Sequence, residues 1–143
     1  MSGDIDYTKL SILIIDDETF MCQLISRVLN EIGAFDIAVA KDGEKGLQRV
    51  YEAGARLDII LCDLEMPGMD GFEFVRKLRT SNKAANPNVP VLIVTGHSDE
   101  AHIKEAVKSG INGFLVKPIS KANLESRMKA ALKGVKIDPK ILG

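Results

Sequence analysis

Five short apolar segments, separated by segments with helical periodicity, constrain the fold of this 143-residue chain more than any other feature of its sequence. The apolar segments are rich in Ile, Val and Leu, and they lie at residues 11–15, 35–40, 58–62, 91–94 and 113–116. Short apolar segments bounded by charged or turn residues are typical of buried strands. The pattern therefore predicts five strands.

The segments between the strands are predicted to be helices. After the first strand, apolar residues recur at spacings of three and four, which indicates an amphipathic helix; they are Met21, Leu24, Ile25, Val28, Leu29 and Ile32. Gly33, Gly54 and Gly110 follow three helical segments, where a left-handed C-cap is common, and Ser120 stands where the last helix would begin. Strands alternating with helices favour parallel strands joined by right-handed crossovers, so a doubly wound α/β domain is expected.

One domain is expected to occupy residues 11–133, because a chain of this length has room for about one. Residues 1–10 are predicted to be an N-terminal tail and residues 134–143 a short C-terminal tail. The polar stretch from Thr80 to Pro90 contains two of the five prolines, Pro87 and Pro90, and it is predicted to be a long loop.

Composition excludes several classes of protein. The chain is 45% hydrophobic and 27% charged, close to an average soluble protein. Apolar runs such as Ile12 to Ile15 are four residues long, whereas a membrane-spanning helix needs about 20 apolar residues. The first ten residues lack the apolar stretch of a signal peptide, so a cytoplasmic location is expected, with Cys22 and Cys62 as buried thiols.

Charge is balanced in total but not along the chain. Residues 1–100 contain 10 basic and 17 acidic residues, whereas residues 101–143 contain 9 and 3. The lysines of the second part are scattered over segments with ordinary amphipathic patterns, so no direct contact with nucleic acid is expected.

Polar residues directly follow four of the predicted strands. Asp16 and Asp17 follow the first, Asp63 the third, Thr95 the fourth and Lys117 the fifth. Ligands of open α/β sheets bind beyond the carboxyl ends of the strands, where these residues would meet. Three carboxylates together favour a hard cation such as Mg²⁺, and a lysine and a hydroxyl suit phosphoryl oxygens. These residue types indicate phosphoryl-transfer chemistry.

A nucleotide is not the expected ligand, because the chain has neither a Walker-type Gly-Lys-Ser/Thr nor a GxGxxG after the first strand. A carboxylate nucleophile remains, and Asp63 is the natural candidate because it stands at the middle of the sheet edge. Phosphate would then be carried covalently.

Residues 10–133 resemble the receiver domain of two-component response regulators. The resemblance rests on motifs in a fixed order: Asp16-Asp17 after Ile12 to Ile15, Asp63 followed by Met66-Pro67-Gly68-Met69-Asp70-Gly71, Thr95-Gly96, and Phe114-Leu115-Val116-Lys117-Pro118. It implies a flavodoxin-like (β/α)5 fold with strand order 2-1-3-4-5, similar to the single-domain CheY-like receivers of chemotaxis or of phosphorelays.

The resemblance also implies roles for the site residues. Asp63 would accept phosphate from a phosphohistidine of a sensor histidine kinase or a histidine phosphotransfer protein. Asp17 and Asp63 would bind Mg²⁺ directly, Asp16 would act through water, and the backbone carbonyl of Glu65 would complete the protein ligands. Lys117 would contact the phosphoryl group. Such a protein is a signalling switch rather than an enzyme, and it catalyses only its own phosphorylation and dephosphorylation.

The switch itself is also implied by the resemblance. Thr95 would turn toward the phosphoryl group and Phe114 would swing inward with it, which would remodel the face of the fourth helix, fifth strand and fifth helix for a downstream protein target. The Lys117-Pro118 bond is expected to be cis. We further hypothesise that Glu65 and His97 set how long the phosphoryl group survives.

Each of these residues also has a simpler interpretation. Asp16 and Asp17 could cap the first helix, Thr95 could be a hydroxyl bonded to the backbone, and Phe114 could be plain core. His97 and His102 lack partners at a zinc-like spacing and are expected at the surface.

Two other functions stay open at this point: an aspartyl-phosphate hydrolase of the haloacid dehalogenase type, and a receiver-fold binding module that is never phosphorylated. Related families that dimerise through the fourth and fifth helices commonly have an acidic pair directly before the aromatic residue of the switch. This chain has Asn112-Gly113 at that position, so a monomer or weak dimer is expected. The chain continues for ten residues beyond position 133, so a DNA-binding output is not expected, and neither is a membrane partner.

Overall fold

The computed structural model describes residues 5–96 and 100–134, and of residues 100, 102, 103 and 106 it describes the backbone alone. Five strands form one sheet in this part of the chain: β1 (Ser11–Ile15), β2 (Asp36–Ala40), β3 (Ile59–Asp63), β4 (Val91–Thr95) and β5 (Gly113–Val116). The α-helices are α1 (Thr19–Ile32), α2 (Gly43–Ala53), α3 (Gly71–Arg79), α4 (Glu100–Lys108) and α5 (Lys121–Leu132). His97 and residues 135–143 of the predicted tail lie outside the described residues.

All strand pairs are parallel, and the strand order is β2-β1-β3-β4-β5. This order and the alternation of strands with helices confirm the predicted doubly wound fold. The sheet separates two apolar layers. Residues of α1 and α5 pack against one face, and residues of α2 and α3 pack against the other. None of the described helices combines the length and the apolar character needed to cross a bilayer.

Three of the strands differ from their predicted bounds by one residue. β2 begins at Asp36 and β3 at Ile59, each one residue later than predicted. β3 extends through Asp63 and β4 through Thr95, one residue beyond each apolar segment. Asp63 pairs with Val94, and Thr95 pairs with Val116. Because parallel pairing continues past the last apolar residue, the polar side chains are held by the rigid sheet rather than by a loop.

One of the three predicted glycine C-caps, Gly33, has the expected left-handed helical backbone, and Gly110 has the positive φ that such a cap requires. Gly33 has φ 109° and ψ 10°, and its N–H donates to the carbonyls of Asn30 and Leu29. Gly110 has φ 82°. The expectation was wrong for Gly54, whose φ of 62° and ψ of −140° lie outside the left-handed helical region. The end of α2 is followed directly by a 3-10 turn at Gly54–Arg56, so no left-handed cap residue separates the two.

Residues 7–9, shortly before β1, also form a regular element. Tyr7–Lys9 form a 3-10 helix, which Asp6 caps by accepting from the N–H of Thr8. The Tyr7 ring is buried in the layer between α1 and α5. This segment therefore covers one end of the core.

Arg79, at the end of α3, holds the polar loop and the turn before β5 together. Its Nη1 donates to the carbonyls of Pro87 (2.8 Å) and Val89 (2.7 Å). Nε and Nη2 both donate to the Gly110 carbonyl, and Nη2 also donates to Oδ1 of Asn112 (2.9 Å). One guanidinium thus satisfies acceptors from both of these segments.

Replacing Arg79 by methionine is expected to lower the free energy of unfolding by about 2–4 kcal/mol, because these partly buried acceptors would lose their donors. Arg76→Met is the matched control. Arg76 lies one helical turn away and forms a surface ion pair with Glu105 at 3.0 Å, which is worth less than about 1 kcal/mol. Urea unfolding measures both. A loss for Arg79→Met no larger than that of the control would contradict the assignment.

Candidate functional site

The predicted site residues meet at the carboxyl edge of the sheet. β1 ends at Ile15, directly before Asp16, and its neighbour β3 ends in Asp63. Lys117 follows the end of β5, and its N–H donates to the Thr95 carbonyl at 2.7 Å. Four of the residues picked from the sequence are therefore brought to one place by the parallel topology.

Asp16 and Asp63 share one cation. The Nζ of Lys117 lies 3.5 Å from Oδ2 of Asp16 and 3.4 Å from Oδ1 of Asp63. The exposed fraction is 1% for Asp16 and 6% for Asp63. One ammonium between two buried carboxylates leaves this trio with a formal charge of −1.

Burial and like charge shift the titration of this trio. Burial, followed by the negative charge of Asp16, raises the pKa of Asp63 to about 6, although Lys117 acts in the opposite direction. Burial works against the ammonium of Lys117, but the charges of Asp63 and Asp16 together exceed it and raise the pKa of Lys117. Above pH 6, Asp63 is therefore ionised beside a protonated lysine.

The raised pKa of Asp63 predicts a pH-dependent stability in metal-free buffer. The folded protein binds this proton more tightly than the unfolded chain, so the stabilisation is complete below about pH 4 and is lost as the pH rises through about 6. Asp63→Asn mimics the protonated form. It is expected to be more stable than the wild type by about 3 kcal/mol at pH 7.5 and nearly equal to it near pH 4. Chemical unfolding in chelator at both pH values measures this difference, and a difference independent of pH would contradict it.

Asp16 uses its two oxygens differently. Oδ2 faces Lys117, whereas Oδ1 accepts from the N–H of Glu18 at 2.9 Å. Glu18 is the N-cap residue of α1, and its side chain forms no capping bond. The simpler interpretation, in which Asp16 or Asp17 caps α1, is therefore not what the structure has.

Three carboxylates cluster beside the trio. Asp16, Asp17 and Glu18 each place one oxygen within 4.8 Å of the others. Asp17 and Glu18 are exposed, so this group opens to solvent. Glu18 was missed in the sequence, although it directly follows Asp17. The group found among the described residues includes Glu18 and leaves out Asp63, which was expected as a direct ligand.

The backbone between β3 and α3 explains why a glycine ends the motif after Asp63. A Cβ on Gly71 would lie 2.7 Å from the Asp63 carbonyl oxygen and 3.0 Å from the Cα of Leu64. The Gly71 N–H donates to the Leu64 carbonyl at 2.9 Å. Because Asp70 caps α3 by accepting from the N–H of Glu73, the first turn of this helix is held tightly against the strand end that carries Asp63.

The remaining predicted residues are placed as follows. Thr95 is buried at the end of β4, and Glu65 is exposed just beyond β3. Phe114 is buried in the α2–α3 layer at 2% exposure. The Lys117–Pro118 peptide bond is cis. His102 lies on α4, where only its backbone is described, and His97 is outside the described residues.

Both cysteines are buried next to this site. The Sγ of Cys22 donates to the Asp16 carbonyl, and the Sγ of Cys62 donates to the Asp63 carbonyl, each at 3.3 Å. Burial raises the pKa of both thiols, and nearby carboxylates add to the effect. Both are free thiols and are held in the unreactive protonated form.

Comparison with known proteins gives consistent matches. A family model described as the response regulator receiver domain matches residues 12–129. The transcriptional regulatory protein ZraR of Escherichia coli (strain K12) is 33% identical over 126 residues, which cover 88% of this chain and 27% of ZraR. The chain thus spans about a quarter of the length of that relative.

Proteins that the match covers over almost their whole length are also found. The chemotaxis protein CheY1 of Helicobacter pylori is 27% identical over 123 residues, which cover 86% of this chain and 97% of CheY1. The solved structure of the Vibrio cholerae chemotaxis protein CheY4 superposes with a TM-score of 0.75 at 30% identity, covering 85% of this chain and 98% of that one.

Proposed function

This chain belongs to the family of response regulator receiver domains, and on that premise we propose that it is a phosphorylation switch whose phosphoryl acceptor is Asp63. The observation that carries the proposal is the buried pair of Asp63 and Asp16 with Lys117 between them. A carboxylate that is ionised at neutral pH, fixed at a strand end and next to an ammonium is suited to attack phosphorus.

The donor set fits Mg²⁺. Asp16, Asp17 and Glu18 offer only oxygen, and three carboxylates this close repel one another unless a cation lies among them. We propose that Asp17 holds the ion directly, that Asp16 acts through water, and that Asp63 and the Glu65 carbonyl complete the set, with Glu18 adding charge at the open side. Bound Mg²⁺ would neutralise charge on the phosphoryl oxygens.

The transfer step is a simple exchange of bonds. An oxygen of Asp63 forms a bond to phosphorus as the P–N bond of a phosphohistidine breaks, and the released imidazole nitrogen keeps the electron pair and is protonated. The donor would be a sensor histidine kinase or a histidine phosphotransfer protein. Lys117 supplies positive charge to a phosphoryl oxygen without moving to a new partner, since it already lies 3.4 Å from Asp63.

The phosphoryl group would act as a new charge that biases a two-state element. Thr95 stands one position beyond Val94, the partner of Asp63 in the sheet, and its hydroxyl would turn toward the phosphoryl oxygens. Phe114 would exchange between the buried position described above and an exposed one. The readout would be a changed surface of α4, β5 and α5 that binds a downstream protein target.

Residues that flank the site would tune the lifetime of the phosphoryl group. We propose this role for Glu65, which is exposed two residues after Asp63, and for His97, which follows Thr95 by two positions. The relatives ZraR and MtrA are named as a transcriptional regulatory protein and a DNA-binding response regulator. For this chain itself we propose protein partners only, with no direct nucleic-acid or membrane contact, and a monomer or weak dimer.

The receiver match over residues 12–129 disfavours the hydrolase alternative. The non-phosphorylated binding module is separated from the switch by intact mass spectrometry after incubation with Mg²⁺ and acetyl phosphate. One added phosphoryl group, lost when Mg²⁺ is chelated, is expected for the switch. Unchanged mass with acetyl phosphate and with phosphoramidate would contradict the proposal.

A further inference from the structure

The open edge of the sheet at β2 has backbone groups available for another strand. β2 pairs with β1 on one side, and no described strand lies on its other side. The Ala40 carbonyl accepts from the N–H of Asp16, so Ala40 faces β1. Since direction alternates along a strand, Ala38 and Asp36 also face β1, and the N–H and C=O groups of Ile37 and Val39 point outward.

The large apolar side chains of β2 lie on the side of this edge next to α1. Ile37 and Val39 point to that side and pack against the layer that contains α1. Phe35, directly before the strand and two positions from Ile37, is 66% exposed. Val39 and Cys22 give the groove on this side an apolar floor, and its other lining residues are polar or basic: Thr19, Gln23, Ser26, Arg27, Asn30 and Lys41. An added strand would find room for apolar side chains here.

The side next to α2 is basic. Lys41, Lys45 and Arg49 line the groove that runs along β2 there, and Arg49 and Arg56 line the groove at its other end. Residues 1–100 are acidic in balance, with 10 basic and 17 acidic residues. Four of those 10 basic residues line the grooves of the α2 side, but only two of the 17 acidic ones, Asp36 and Glu52. A fifth basic residue, Arg27, lines the groove of the α1 side.

Two of these basic residues have polar partners within the chain, whereas Arg49, at the centre of the α2 side, has no ion-pair partner among the described residues. Lys45 lies 3.9 Å from a carboxylate oxygen of Asp42, and Lys41 donates to the Thr19 hydroxyl. Arg49 lines both grooves of the α2 side, and it forms no ion pair with any residue that the structure describes. It is therefore the principal candidate to meet an incoming carboxylate.

We propose that the β2 edge binds an extended segment of a partner protein in which acidic and apolar residues alternate, as a sixth strand of the sheet. Alternation places the apolar side chains of the segment over α1 and its carboxylates over Arg49. A second copy of this chain is a poorer occupant, because two such edges would bring their basic rims together. β2 and β5 are opposite edges of the sheet, so this partner could bind at the same time as a target on the proposed switch face.

The test uses the full chain labelled with ¹⁵N and two capped octapeptides, one alternating Glu and Val and the other alternating Lys and Val. The Glu peptide is expected to shift amide signals of residues 35–41 and of the facing parts of α1 and α2. We expect a dissociation constant of about 0.1–1 mM for the Glu peptide, and we expect it to rise with salt concentration. The Lys peptide is expected to bind at least about tenfold more weakly.

Two variants test the two parts of the proposal. Val39→Pro removes an outward N–H without a ladder bond, which an edge strand tolerates, and it is expected to abolish binding. Arg49→Glu is expected to weaken binding of the Glu peptide and to strengthen binding of the Lys peptide. This reversal can be tested even if Val39→Pro does not fold. Arg127→Glu on α5 is the matched control and should change neither.

Three outcomes would overturn the proposal. The first is no shift at millimolar Glu peptide. The second is equal binding of the two peptides, which would show that charge does not select the occupant. The third is a shift of residues 35–41 with protein concentration alone, which would make a second copy the occupant.

Discussion

Asp63→Asn is expected to abolish phosphoryl uptake from acetyl phosphate, with a loss of at least about a hundredfold in rate. An amide lacks the negative charge and the lone-pair reactivity of the carboxylate, so no bond to phosphorus forms. Asn has nearly the same shape as Asp, and the site is buried at 6% exposure, so the fold is kept. Mass spectrometry over time measures the uptake.

The control for this variant is Asp36→Asn. Asp36 is an exposed aspartate at the start of β2, away from the carboxyl edge of the sheet, and its replacement is expected to leave uptake unchanged. Uptake by Asp63→Asn at more than about a tenth of the wild-type rate would show that another side chain accepts the phosphoryl group.

Lys117→Met is expected to have two linked effects. It keeps an unbranched side chain only one heavy atom shorter but removes the cation that Asp16 and Asp63 share at 3.5 and 3.4 Å. Phosphoryl uptake should slow by about 10²–10³-fold, because the charge that stabilises the transferring group is lost. Stability in chelator at pH 7.5 should fall by about 2–3 kcal/mol, because two buried carboxylates are left without their partner.

The second effect separates an electrostatic role of Lys117 from a packing role. Added Mg²⁺ should restore most of the lost stability of Lys117→Met, because the ion neutralises the same carboxylates, but it should not restore the rate. Lys121→Met, at the start of α5, is the matched control and should change neither quantity. A rate within about threefold of the wild type would contradict the role given to Lys117.

The fold could be predicted from the sequence because each strand corresponds to a short apolar segment. The predicted bounds of β1 and β5 agree with the structure. β2 and β3 begin one residue later than predicted, and β3 and β4 end one residue further, at Asp63 and Thr95. A rule based on apolarity stops at Asp63 and Thr95. Pairing does not stop there, since backbone hydrogen bonds are indifferent to the side chain.

The candidate site was predictable in its membership but not in its contacts. The rule that ligands bind at the carboxyl ends of parallel strands was enough to select Asp16, Asp63 and Lys117. Their distances depend on rotamers and on the reach of Lys117 across the sheet, which spacing along the chain does not encode. The same limit explains why Glu18 was missed. In the sequence it is an ordinary acidic residue at the start of a helix, and only the structure shows that its side chain forms no cap bond and lies close to Asp17.

The structural role of Arg79 could not be predicted from the sequence. Nothing in its neighbourhood along the chain distinguishes it from Arg76 or Lys77, because its acceptors lie 8 to 33 positions away. The binding edge proposed at β2 is of the same kind. Its basic side chains come from α1, the turn after β2, α2 and the 3-10 turn, and only the fold places them beside one strand.

Chemical trapping of the phosphoryl group tests the central claim most directly. After incubation with acetyl phosphate and Mg²⁺, borohydride reduces an aspartyl phosphate to homoserine, and peptide mass spectrometry then locates that residue in the chain. We predict homoserine at position 63 alone, and none when Mg²⁺ is chelated. Homoserine at Asp16, Asp17 or any other aspartate, with Asp63 unchanged, would contradict the account.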